Sequence, residues 1–232
     1  GFGTFKLACL AKKIKIKHFI YTSSVAVYGS NPKKKINEKS TIKPDSIYGI
    51  SKYVGEMFIN QILGSTKVKT TILRVFNTYG PGENLNFLKK GMISIYCSYI
   101  WRRKPLIVKG SLKRFRNLNY IDDCVQILLK TISNKKLKKN ETINLSSGKV
   151  FTVKEIINEI LKTNNLKKYK IILRKETPGD SFGYNASNKY LKLKFSNFKF
   201  TSLPLGLRKY FKWINILPIK KDLKKLHPLN FK

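Results

Sequence analysis

Acid is what this chain has least of relative to base. Twelve Asp and Glu stand against 48 Lys and Arg in 232 residues, a formal charge of +36 at pH 7. So basic a balance raises nucleic acid or an anionic surface as partners. Arginine, the usual reader of bases, is scarce: Arg74, Arg102, Arg103, Arg114, Arg116, Arg174 and Arg208 are the whole set. The lysines run through the entire chain instead of gathering in one tail or stripe. A bias toward Lys, Asn and Ile over solvated faces accounts for that spread, with some benefit for attracting a diphosphate. No specific nucleic-acid partner is expected.

Cysteine is nearly absent too. Cys9, Cys97 and Cys124 are odd in number, far apart and without Cys-x-x-Cys spacing. This argues for reduced thiols in a cytoplasmic setting and against a zinc site. The two histidines, His18 and His227, belong to no constellation, so no metal is expected. No apolar run approaches the ~20 residues of a membrane span; the best, residues 92–101, is broken by Ser94 and Ser98. Lys12, Lys13, Lys15 and Lys17 interrupt the early apolar residues, which argues against a secretory signal. Also missing is a strand followed by Gly-x-x-Gly-x-x-Gly, the turn that cradles a dinucleotide pyrophosphate. Gly1-Phe2-Gly3 has no strand before it and does not qualify.

What is present centres on residues 19–52. Phe19-Ile20-Tyr21-Thr22-Ser23-Ser24 reads as a short apolar strand ending in small hydroxyls. Ser46-Ile47-Tyr48-Gly49-Ile50-Ser51-Lys52 opens a helix, so Tyr48 and Lys52, four apart, share one face. A tyrosine normally titrates near ~10 and is a poor base at neutral pH. An ammonium about 4 Å away, at an effective dielectric of ~20, favours the phenolate by on the order of 4 kcal/mol. Dehydration opposes this, which makes the figure an upper bound. Tyr48 could then exchange a proton with a substrate hydroxyl that Ser24 holds in place. Tyr and Lys are abundant enough for the spacing to arise by chance, and a second copy runs from Tyr190 to Lys194. The context distinguishes the first copy: a strand ending in Ser-Ser, a Tyr-Gly turn at Tyr28-Gly29, then Tyr-x-x-x-Lys.

In that context the chain resembles the extended short-chain dehydrogenase/reductase family, in its NAD-dependent nucleotide-sugar epimerase/dehydratase branch. Two further stretches carry the resemblance. Arg74-Val75-Phe76-Asn77-Thr78-Tyr79-Gly80-Pro81 matches the family's Arg-x-Phe-Asn-x-Tyr-Gly-Pro. Arg114 to Asp123 is similar to its Arg-Asp-aromatic-x-Tyr-Val-Asp-Asp segment, with Asn117 in place of the usual acid. The resemblance implies an α/β fold: the carboxy-terminal part of a Rossmann-type doubly wound parallel sheet, with a smaller α+β substrate lobe. It implies that the first βα units, roughly half a dinucleotide-binding domain, are missing. Residues 1–79 would be the remaining half of that domain, 80–116 a substrate-lobe segment, 117–148 a return helix and strand, and 149–232 the carboxy-terminal lobe.

The resemblance also implies roles. Ser24, Tyr48 and Lys52 would be catalytic, with Lys52 also holding the nicotinamide ribose. Thr22, Ser23, Tyr48, Lys52 and Phe76 would line NAD, with NADP not excluded. Asn77, Arg116 and Asp180, the last in Pro178-Gly179-Asp180, would join Ser24 against a nucleotide-diphosphate sugar; Gly91 and Met92 are added from their place near a helix start, where backbone N–H groups could meet phosphate. Family 4,6-dehydratases carry Thr-Asp-Glu where this chain has Ser24-Val25-Ala26, and without an acid the elimination of water is disfavoured. A UDP-sugar 4-epimerase is the reading preferred, ahead of a nucleotide-sugar reductase or dehydrogenase. A decayed scaffold that binds polyanions is the alternative of another class. A homodimer follows only from the resemblance.

Secondary structure follows the same pattern. Helices are expected over residues 2–11, from 47 with Val54, Phe58 and Ile62 buried, over 86–101, over 153–163 capped by Thr152, and over 202–214. Strands are expected over 17–24, 67–76, 105–110 and 141–145. Asp122 and Asp123 read as the N-cap and first turn of a helix, not a metal pair.

Overall fold

A computed structural model describes residues 1–30, 35–88, 91–176 and 181–218. In chain order the elements are α1 (Phe2–Lys13), β1 (His18–Ser24), a 3₁₀ turn (Val25–Tyr28), α2 (Ile47–Leu63), β2 (Lys69–Val75), β3 (Thr78–Tyr79) and α3 (Met92–Trp101). There follow β4 (Leu106–Lys109), β5 (Phe115–Asn117), β6 (Asn119–Tyr120), α4 (Ile121–Ser133), β7 (Asn140–Leu145) and β8 (Val150–Thr152). The last are α5 (Val153–Thr163), β9 (Ile171–Arg174), α6 (Lys189–Lys194) and α7 (Leu203–Asn215).

The strands β1, β2 and β7 form a parallel sheet in the order β1-β2-β7. Parallel neighbours require helical crossovers, and α2 supplies the one between β1 and β2. Side chains of β2 alternate across the sheet. Ile72 packs with Ala8 and Ala11 of α1 and Ile59 and Leu63 of α2, whereas Leu73 packs on the other face with Ile127 of α4 and Leu191 of α6. Covered on both faces, the sheet is the expected Rossmann-type α/β arrangement.

Beyond the sheet, α3, α5 and α7 enclose a second apolar core around Tyr96, Ile156 and Tyr210. Short strand pairs brace it: β4 with β9 and β3 with β6 in parallel, β5 with β8 antiparallel. The α5 helix starts where the sequence places it. Thr152 Oγ1 accepts from the Glu155 amide at 3.1 Å, and Glu155 Oε2 accepts from the Thr152 amide at 2.7 Å. That reciprocal cap satisfies two otherwise orphaned donors.

Three local expectations are corrected. In α2 the buried positions are Gly49, Gly55, Glu56, Ile59 and Leu63, the last four one step from the stripe expected at Val54, Phe58 and Ile62. Those three are half-buried instead, with Phe58 against Phe5 of α1 at 5.2 Å between ring centres. Glu56 is among the buried residues because it pairs with Arg74 of β2, a partner that periodicity cannot see. Secondly, α3 begins at Met92, not at residue 86. Gly91 is left-handed there (φ 79°), a conformation that breaks the helical path and favours glycine. Thirdly, the N-cap of α4 is Tyr120; Asp122 and Asp123 lie in its first turn. Asp123 reaches across to accept from both the amide and hydroxyl of Thr201, each at 2.8 Å.

Candidate active site

The carboxyl ends of the parallel strands face one edge of the sheet, the edge at which α/β sheets take ligands. There β1 ends in Ser24, which is extended (φ −145°, ψ 154°) and accepts from the Ala26 amide at 3.2 Å. That bond uses the hydroxyl as acceptor and leaves its proton to donate elsewhere. The first turn of α2 sits directly on this segment. Ser46 Oγ caps it by accepting from the Gly49 amide at 3.0 Å. A Cβ on Gly49 would stand 2.5 Å from the Ala26 carbonyl oxygen, so this contact requires glycine.

Tyr48 projects from that turn and is 56% exposed, which leaves its hydroxyl open to a ligand. One turn on, the Lys52 ammonium donates to the Thr22 carbonyl at 2.8 Å. It lies 5.8 Å from the centre of the Tyr48 ring and 5.3 Å from that of Tyr21. Ammonium and phenol share a face, as the spacing requires. The Thr22 carbonyl that fixes the ammonium was not legible, because a backbone acceptor leaves no mark in a sequence.

Ser23 turns away from this edge. Its hydroxyl donates to Glu56 Oε1 at 2.5 Å, inside a cluster built on the Glu56–Arg74 pair. Arg74 Nη2 donates to Glu56 Oε2 at 2.7 Å and Nε to Oε1 at 3.0 Å, with both side chains almost fully buried. Burial works against the Arg74 charge, but Glu56 and Tyr28 outweigh it and raise its pKa. Burial likewise raises the Tyr28 phenol despite the guanidinium beside it. This cluster is the part of the site that sequence reasoning missed.

The remaining candidates divide. Thr22 is exposed beside Lys52. Phe76 is 1% exposed and packs with Val27, Tyr28 and Tyr184, so its ring is a floor to this end of the sheet. Asn77 follows it and donates from Nδ2 to the Asn117 carbonyl at 3.3 Å. Asn117 is wholly buried; its Oδ1 accepts from Ser146 at 2.6 Å, while its Nδ2 has no hydrogen-bond partner. Arg116 donates from Nη1 to the carbonyls of Phe115 at 2.8 Å and Phe182 at 3.2 Å. Gly91 and Met92 lie at the start of α3, where Glu83 Oε1 is 2.9 Å from where a Gly91 Cβ would be. Asp180 lies outside the described residues. The second Tyr-x-x-x-Lys is structural: Tyr190 hydrogen-bonds Glu141, and Lys194 pairs with the same carboxylate at 2.8 Å, tying α6 to β7.

The donor set fits the nicotinamide-ribose end of a dinucleotide. Lys52 keeps two N–H donors beyond its bond to Thr22, and the Tyr48 hydroxyl is open. A model of the NAD dependent epimerase/dehydratase family matches residues 2–146. The chain belongs to that family. A relative in Aggregatibacter actinomycetemcomitans, a GDP-6-deoxy-D-talose 4-dehydrogenase, is 28% identical over 194 residues, covering 82% of this chain and 63% of its own length. A putative UDP-glucose 4-epimerase of Methanocaldococcus jannaschii is 31% identical over 162 residues, or 68% of this chain and 50% of its own. A solved UDP-glucuronic acid 4-epimerase from Bacillus cereus, in complex with UDP-glucuronic acid and NAD, is similar with a TM-score of 0.83 at 25% identity. That match covers 91% of this chain and 66% of the other. The chain thus spans 63% and 50% of the length of the two epimerase/dehydratase relatives. NAD is the cofactor of this family. Among the described residues no helix is long and apolar enough to cross a membrane.

Proposed function

We propose that this chain carries the proton-transfer centre of a cytoplasmic nucleotide-sugar 4-epimerase. The supporting observation is the Tyr48–Lys52 pair at the mouth of α2, held against the end of β1 by the Lys52–Thr22 bond and the Gly49–Ala26 contact. Tyr48 takes the proton from the sugar 4-hydroxyl. Lys52, fixed by its bond to the Thr22 carbonyl, keeps two N–H donors for a ribose hydroxyl. Ser24 donates to the same sugar oxygen, which the Ala26 amide leaves it free to do. Tyr48, Lys52 and the end of β1 would hold the nicotinamide end of NAD, which would supply a reversible hydride acceptor for the sugar C4. The 4-keto sugar turns over between the two transfers, and Tyr48 gives its proton back on the other face.

The sugar's diphosphate would meet Asn77, Arg116 and the start of α3 at Gly91–Met92. Dehydration is disfavoured because Val25 and Ala26 supply no acid after Ser24. A second reading, a nucleotide-sugar dehydrogenase or reductase, draws on the identity to the talose dehydrogenase. Net consumption of NAD(P)H in step with product separates it from an epimerase, which returns its hydride.

The test is Tyr48→Phe, which keeps the ring and removes the proton carrier. In the protein supplied with NAD and a panel of UDP-, GDP- and dTDP-sugars, turnover should fall by at least ~10²-fold, the low end for general acid–base catalysis. An undiminished rate would remove Tyr48 from the chemistry.

A further inference from the structure

The cluster around Glu56 lies one helical turn past Lys52 and two past Tyr48, on the same face of α2. At its other side Ser23, bonded to the same carboxylate at 2.5 Å, is the residue before Ser24. Arg74 grips Glu56 through two nitrogens and uses the third, Nη1, on the Tyr28 hydroxyl at 2.8 Å. Tyr28 closes the 3₁₀ turn that Ser24 opens, and its hydroxyl donates onward to Asn144 Oδ1 of β7 at 2.8 Å. Glu38 completes the frame by accepting from the Asn144 amide at 3.0 Å. One guanidinium on the central strand therefore ties down the helix bearing Tyr48 and Lys52, the strand end bearing Ser24 and the turn after it. Ser23, Tyr28, Glu56 and Arg74 are each at most 5% exposed. None of them faces the open edge where a sugar would sit.

We propose that Arg74 is a positioning residue: through Glu56 and Tyr28 it fixes the separation between the Ser24 hydroxyl and the Tyr48–Lys52 pair. The inference rests on the reading of those three as the reacting site, and extends it to a residue that touches neither sugar nor cofactor. A planar fork suits the role, since a lysine would keep the charge but lose the rigid two-nitrogen grip on the Glu56 carboxylate and its fixed direction toward Tyr28.

The experiment is a double-mutant cycle between Arg74→Lys and Ser24→Ala, with Tyr28→Phe as the milder second variant. Tyr28→Phe keeps the ring and deletes only the hydroxyl between Arg74 and Asn144. If Arg74 acts through the placement of Ser24, each frame variant lowers kcat about 10-fold with KM little changed. In either background, removing the Ser24 hydroxyl then costs several-fold less than in the wild type. Independent, multiplicative losses overturn the proposal.

A second readout needs no turnover. Amide hydrogen exchange at Ala26, which Ser24 Oγ holds at 3.2 Å, should quicken in Tyr28→Phe while α5 amides keep their wild-type protection. Equal acceleration everywhere marks a global loss of stability and also overturns the proposal. Tyr48→Phe in the same assays separates the two claims. Full activity in that variant defeats the site itself, whereas its inactivity together with an uncoupled cycle defeats only the role of Arg74.

Discussion

Gly49→Ala tests what seats the reactive helix. In a solvated helix interior the change would gain about 1 kcal/mol, because alanine is the better helix former. Here the new Cβ would stand 2.5 Å from the Ala26 carbonyl oxygen, against an ordinary contact of at least 3.4 Å. The obstacle is backbone and cannot rotate away, so α2 must retreat by close to the difference. Overpacking of this kind costs about 1–3 kcal/mol. Set against the helix gain, the expected net loss is about 1 kcal/mol, or roughly 2–4 °C in Tm for a chain of this size. Urea unfolding followed by circular dichroism measures it. Gly3→Ala is the control: it lies exposed in α1 with nothing within 4 Å of where its Cβ would be, and should stabilise by up to about 1 kcal/mol. If Gly49→Ala matches or exceeds the wild type in stability, the Gly49–Ala26 contact does not hold the helix. The seating of Tyr48 and Lys52 by that contact would then be refuted.

Two other changes probe features remote from the site. Thr152→Ala removes the reciprocal cap of α5 and should lower stability by about 1 kcal/mol, read as a shift in urea midpoint with unchanged slope. Glu141→Gln addresses acid sensitivity. Burial would raise that carboxyl, but bonds from Lys194, Tyr190 and the Lys138 amide outweigh it and hold the pKa below its ordinary 4.5. A depressed folded-state value means the stabilisation is complete above the unfolded pKa and is lost as pH falls through the folded one. The variant should be less stable at pH 7 and lose stability less steeply below pH 4.5, measured by unfolding across a pH series; an unchanged acid limb would refute the assignment.

The features legible in the sequence are those whose cause is local. Thr152 and Glu155 announce their helix because the cap is closed by residues three apart. Tyr48 and Lys52 share a face because a helix repeats, and β1 ends where its apolar run gives way to Ser23 and Ser24. Strands of two to four residues, such as β5 and β8 or β4 and β9, are too short for periodicity to declare a partner, and their pairing follows only from the packing of the second core. The start of α3 escapes sequence reading because glycine at position 91 admits a left-handed turn without demanding one.

The deeper omission concerns charge. Periodicity assigns every carboxylate to solvent, yet Glu56 and Glu141 are 2% and 6% exposed, each paired with a base far along the chain or on another element. Both pairs join a helix to the central sheet: Glu56 joins α2 to β2 through Arg74, and Lys194 joins α6 to β7 through Glu141. Other acids accept hydrogen bonds from neutral groups far along the chain, Asp123 from Thr201, Glu38 from Asn144 and Glu83 from Tyr210. In a chain with only 12 acids, that pattern gives the composition a structural meaning. Two of these carboxylates, Glu56 and Glu141, fix a helix to a strand, and Asp123, Glu38 and Glu83 accept from groups on other segments. Breaking a buried ion pair by removing one partner is costly, so Glu56 and Glu141 are positions where a substitution destabilises strongly. The frame that holds Ser24, Tyr48 and Lys52 thus depends on one of only 12 acids, Glu56.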